Sequence, residues 1–129
     1  WAAQYPTLTG GMTDDDDNDG LDNLYEFAVG GNPTNGTVAP AYMPTSTLVD
    51  VGGSSNVLEY VYTRRQPVPV DMQYYCEVDT QELTFPSWTT DGYSVTGEAD
   101  AAAGFKTVTN QTPVDANSKK FIKLTVEQN

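Results

Sequence analysis

The sequence predicts an α+β protein that is mainly β: a short helix–calcium loop–helix hairpin followed by an antiparallel β-sandwich of five to six strands. Three observations lead there. Residues 14–26 read DDDDNDGLDNLYE, seven carboxylates in thirteen positions with no base among them. Apolar residues recur at helical spacing on both sides of this run. Beyond about residue 47 the pattern turns to short β-branched and aromatic stretches separated by turn formers.

WAAQY opens the chain with Trp1 and Tyr5 on one helical face, and Pro6 and the Gly10-Gly11 pair end that segment. After the acidic run, Leu21, Leu24, Phe27 and Ala28 share a second helical face, with Gly30 or Gly31 suited to the C-terminal cap. Residues 1–31 thus form the calcium-binding hairpin. Residues 32–46, rich in Pro, Gly, Asn and Thr, read as a linker, and 47–129 as the sandwich. The strands are expected at 47–51, 57–65, 72–80, 92–99, 104–110 and 119–128. In the third, Met72, Tyr74, Cys76 and Val78 alternate inward, which makes Cys76 a small buried apolar residue and not a nucleophile.

Spacing separates the acidic run from a merely solvated one. Counted from Asp15, carboxylates stand at positions 1, 3 and 5 (Asp15, Asp17, Asp19), Gly20 at 6, Leu21 at 7, Asn23 at 9 and Glu26 at 12. This is a complete D-x-[DN]-x-[DN]-G-x5-E calcium loop. Calcium takes six to eight oxygens at about 2.3–2.6 Å, and alternate residues of a tight loop turn their side chains inward. Leu21 can offer only its carbonyl, Glu26 reaches back from a helix with two oxygens, and Asn23 acts through a water or braces the loop. Position 8, where paired EF-hand loops commonly carry an apolar residue, is Asp22, and no second loop exists, so the site stands alone.

The chain has 18 acids against 6 bases, a net charge of −12. Such a surface argues against nucleic acid or an anionic membrane as partner, and no stretch approaches the roughly 18 apolar residues of a membrane span. No leader opens the chain at Trp1, which suggests a piece of something longer. Histidine is absent, which removes the commonest general base and the commonest transition-metal ligand together. A calcium loop of modest affinity fills at roughly millimolar extracellular levels and favours a secreted or extracellular setting.

The succession WAAQY, DDDNDGLDNLYEFAVGGNPTN, LEYVYTRR, MQYYCEVDTQEL, a following Trp, and KKFIKLTV resembles a C-terminal module of large secreted bacterial proteins. Such modules are frequent in planctomycete and verrucomicrobial proteins, behind polysaccharide-degrading enzymes or sulfatases. The loop itself is similar to those of dockerins and thrombospondin type 3 repeats. The resemblance implies metal ligation by Asp15, Asp17, Asp19, the Leu21 carbonyl and Glu26, and an extracellular accessory role beside a parent catalytic domain. Cys76 departs from it, since such strands more often carry a branched aliphatic there.

Three function classes are open: a carbohydrate-binding module, a structural or anchoring spacer, and an enzyme. The enzyme is the weakest, because no Ser-His or Cys-His pair can be built and most acids are either committed to the loop or scattered on polar faces. With 8 Tyr and 2 Trp, the chain is well supplied with rings that could meet sugar faces. Trp88, Tyr93 and Tyr75 are the candidates, with Arg64 and Arg65 as forks for carboxylate or sulfate. Each has a plainer alternative. Trp88 falls between strands and could plug the sandwich, and either arginine could make an ordinary surface ion pair.

Overall fold

The computed structural model describes residues 1–36, 43–53, 55–80, 87–114 and 119–129. Part of the predicted linker (37–42) and the QEL segment of the family-like stretch (81–83) lie outside them. The described residues are mainly β, with one α-helix, α1 (Asn23–Val29), and six strands: β1 (Thr45–Gly52), β2 (Ser55–Arg65), β3 (Met72–Asp79), β4 (Ser94–Asp100), β5 (Phe105–Val114) and β6 (Phe121–Gln128). They form two antiparallel sheets, one ordered β1-β2-β5-β4 and the other β3-β6.

The predicted first helix is one 3-10 turn, Ala2–Gln4. Pro6 disfavours helical geometry at Tyr5, whose φ and ψ are −122° and 84°, and so ends the turn. Its aromatic pair nevertheless shares one target: Trp1 stacks on Phe27 at 5.4 Å and Tyr5 meets the same ring edge-on at 6.3 Å. β5 runs four residues past the predicted end, through Pro113. A proline is tolerated there because Pro113 pairs only with Val57 of β2, β4 having ended opposite Gln111.

The two sheets meet through one apolar layer: Tyr60 and Tyr62 of β2, Val108 of β5, Cys76 of β3 and Leu124 of β6. Cys76 is fully buried, as its alternation predicts, and burial pushes its thiol up to about 12. Only β2 and β5 are covered by the narrow sheet. Every residue of β4 is exposed and β1 nearly so, and both overhang it.

The helix belongs to the same core. Val29 joins the sheet cluster, while Leu24, Phe27 and Ala28 pack on Met72 with Tyr74 and Val126 beside them. The sheets also satisfy carbonyls that a helix end leaves unpaired. Arg65 Nε donates to the Phe27 carbonyl at 2.8 Å and the Tyr74 hydroxyl to that of Ala28 at 2.8 Å. Gly30 closes the helix in the left-handed region, at φ 100°, where a side chain would be strained. Among the described residues no helix is long and apolar enough to cross a membrane.

Candidate metal centre and ligand groove

The acidic loop is built by its own side chains. Asp15 accepts from the amides of Asp19 (3.2 Å) and Gly20 (2.9 Å), and Asp19 accepts from Leu21 N at 2.9 Å. Gly20 turns at φ 95° and Asn18 at φ 61°, so the chain doubles back between the acids. Asp22 caps α1 by accepting from Tyr25 N at 2.7 Å. Backbone bonds from Asn23 N to Asp14 O (2.8 Å) and from Leu24 N to Met12 O (3.0 Å) clamp the helix start onto the loop start.

Asp15, Asp17 and Asp19 each present an oxygen, and the three oxygens lie within 4.8 Å of one another. Glu26, on the first turn of α1, is fully buried, and neither of its carboxylate oxygens has a hydrogen-bond partner. Both Asp17 oxygens are likewise buried and unpartnered. The Asp19 and Asn35 amides face the Asp17 carboxylate and partly offset the rise that burial causes. Burial, followed by the charges of Asp17, Asp19 and Asp15, pushes Glu26 up to about 8. Asp17 is raised too, by burial first and then by Asp19. Buried carboxylates with no donor are costly, and the ordinary remedy is a cation. The donors are all hard oxygens, and those of Asp15, Asp17 and Asp19 lie close enough together to share one cation. Nitrogen and sulfur donors, which softer metals prefer, are missing from the loop.

Asn23 is the loop's brace. Its Oδ1 accepts from Asp16 N at 3.2 Å, and its Nδ2 donates to Gly11 O at 2.8 Å and to Asp16 Oδ1 at 3.2 Å. Asp16, an acid the sequence reading passed over, is the second brace, taking Thr9 N at 2.6 Å, the Thr9 hydroxyl at 3.1 Å and Gly10 N at 2.9 Å. These bonds, the Thr9 amide foremost, hold its carboxyl below the usual range. Its even place between Asp15 and Asp17 was the available signal: its carboxylate turns to Thr9 and Gly10 and not into the Asp15–Asp17–Asp19 cluster.

The five residues nominated for a ligand do not converge. Tyr93 is half-buried against the core, and its hydroxyl accepts from Cys76 N at 3.1 Å. Arg65 lies over the Phe27 ring at 3.7 Å and is spent docking α1. Trp88 is half-buried, with Lys123 Nζ 4.3 Å from its ring centre. Arg64 and Tyr75 do share a feature, an open cleft of about 410 Å³ between β3 and the overhanging β4. Tyr62, Gln73, Tyr74, Val95 and Glu98 line it too, residues that carry no local signal of a site. Within it Arg64 pairs with Glu98 at 3.1 Å. The Tyr75 hydroxyl is tied to Glu127 at 2.7 Å, a bond that pushes it up to about 12.

No family model, curated protein or solved structure matches this chain.

Proposed function

We propose that this protein is a non-catalytic, calcium-stabilised accessory domain, and that it serves as a carbohydrate-binding module of a secreted polysaccharide-degrading enzyme. The observation that carries the calcium reading is the buried, donor-less carboxylate of Glu26, under the charges of the Asp15–Asp17–Asp19 cluster. Asp15, Asp17, Asp19, the Leu21 carbonyl and Glu26 hold the ion, and Asn23 and Asp16 hold the loop. The ion is structural: it neutralises the hairpin and fixes α1, whose apolar face completes the sandwich core. Support for secretion comes from the same proposed site, which a millimolar calcium environment would keep filled, and from the resemblance of the chain to C-terminal modules of secreted bacterial proteins. The net charge of −12 opposes nucleic acid and anionic membranes as partners.

Support for the glycan comes from the open cleft, which joins tyrosines to an ion pair whose Glu98 side is exposed, in a volume typical of small-ligand sites. A specific observation favours the second reading, a spacer with no glycan: Tyr93 and Arg65 are occupied within the fold. A glycan array probed with the protein in calcium and again in chelator separates the two. Retention on at least one polysaccharide in calcium, lost on chelation, is the expected result. No retention on any member while the calcium form is folded would leave the spacer.

A further inference from the structure

We propose that the glycan site is the open flank of the sandwich between β3 and β4, and that it takes a neutral sugar chain. This rests on the carbohydrate-binding reading above. The polar groups on offer there come from the strand edge. In β3 the backbone groups of alternate residues face away from β6. Met72 N donates to Pro69 O at 3.0 Å, Cys76 N to the Tyr93 hydroxyl at 3.1 Å, and Val78 exchanges two bonds with Thr89. Tyr74 is the member of this series whose amide and carbonyl have no partner among the described residues, and it lies in the cleft wall. The Tyr62 hydroxyl, also at the cleft, has none among them either, whereas the ring is fixed by parallel stacking on Tyr74 at 6.3 Å. Opposite stands the Glu98 carboxylate, 42% exposed. A donor, two acceptors and a hydroxyl that serves as either match the hydroxyls of a pyranose, and the exposed Val68 and Val95 offer apolar contact to its C–H face.

Charge selects the neutral class. Arg64 is already bonded to Glu98, to Gln66 Oε1 at 2.7 Å and to the Arg65 carbonyl at 3.0 Å. Lys106 sits 3.9 Å from Glu98 and 4.0 Å from Asp100. Two cations facing two carboxylates leave no free fork, so a sulfate would have to displace Glu98 from Arg64. Tyr75 supplies no stacking platform in the cleft, because its hydroxyl is turned to Glu127 on β6. Affinity therefore comes from a few hydrogen bonds and is weak, on the order of millimolar.

The test is an amide-resolved NMR titration of the calcium-loaded protein with cellohexaose, xylohexaose and mannohexaose, a sulfated carrageenan hexasaccharide, and a Val-Thr hexapeptide. The expected result is saturable shifts at Tyr74, Arg64, Val95 and Glu98 with a neutral sugar. Tyr62→Phe, which keeps the ring, should weaken binding about fivefold through one lost hydrogen bond. Val95→Trp, at an exposed edge position, should block the cleft and remove the shifts without unfolding the core. Shifts centred on Trp88 and Lys123 would overturn the cleft while sparing the carbohydrate reading. Response to the sulfated sugar alone would overturn the neutral class. Response to the peptide alone would hand the cleft to an extended polypeptide. Silence toward every sugar at millimolar concentration would remove the carbohydrate reading and this assignment with it.

Discussion

Replacing Glu26 by glutamine should have opposite effects with and without calcium. In the metal-free fold the Glu26 carboxylate is sealed beside Asp17, with no donor to either oxygen, and its proton affinity rises to about 8 from an ordinary 4.5. At about 1.4 kcal/mol per pH unit, holding it protonated at neutral pH, where the unfolded chain has it ionised, would cost the fold about 3 kcal/mol. Its cover is the exposed acidic loop, through which solvent screens part of that penalty, leaving about 2 kcal/mol. Glutamine fills the same space without the charge. The chelated Glu26→Gln protein should therefore melt higher than the chelated parent, by roughly 5–10 °C for a chain of this size. In calcium the order reverses. A ligand at a hundredfold excess over its Kd stabilises by about 2.7 kcal/mol, and the variant, having exchanged two anionic oxygens for one neutral one, loses most of this. Thermal melts followed by circular dichroism at neutral pH, in excess calcium and in excess EDTA, read both arms. Equal destabilisation of the variant in the two buffers would refute the reasoning, because Glu26 would then be an ordinary packing residue.

The same carboxyl sets a pH dependence for the chelated protein. Its folded value lies above its unfolded one, so the stability tied to its proton is complete below about pH 4.5 and is lost as pH rises through about 8; a chelated melting temperature that climbs over this interval would contradict it. Arg65→Met should lower stability by about 1–3 kcal/mol equally with and without calcium, since it removes the bond to the Phe27 carbonyl and the contact with the Phe27 ring but touches no metal ligand. Calorimetric melts in both buffers check the equality. Gly10→Ala should weaken calcium binding, because an added Cβ collides with the Asp16 and Asp14 side chains that anchor the loop; calcium titration against the parent measures it. Native Cys76 should resist a thiol-reactive dye until the protein is denatured, its thiol being buried and pushed up to about 12.

The acidic cluster was legible because the loop is local: Asp15, Asp17 and Asp19 stand at alternate positions, and spacing alone brings one oxygen of each together. The period-2 pattern of Met72, Tyr74, Cys76 and Val78 located β3 and its buried face for the same reason. What the sequence could not arrange was anything assembled across strands. Arg64 and Arg65 are neighbours with identical chemistry, yet one reaches Glu98, 34 residues on, and the other reaches back 38 residues to Phe27. Tyr93 reads as an exposed ring because its neighbours Gly92 and Ser94 are polar and small, and only the fold reveals that its hydroxyl takes the Cys76 amide. The 3-10 turn at Ala2–Gln4 was hidden by an opposite effect. Its aromatics fit a helical face, but their partner is Phe27, and Pro6 stops a helix from continuing.

The central claim, that the acidic loop exists to hold calcium, is tested most directly by titrating calcium into the metal-free protein in a calorimeter, beside the Asp17→Asn/Glu26→Gln variant. The account predicts one saturable site per chain in the parent, filled by millimolar calcium, and none in the variant while its strands remain folded. A parent with no saturable heat up to millimolar calcium, or a variant that binds as the parent does, would contradict it.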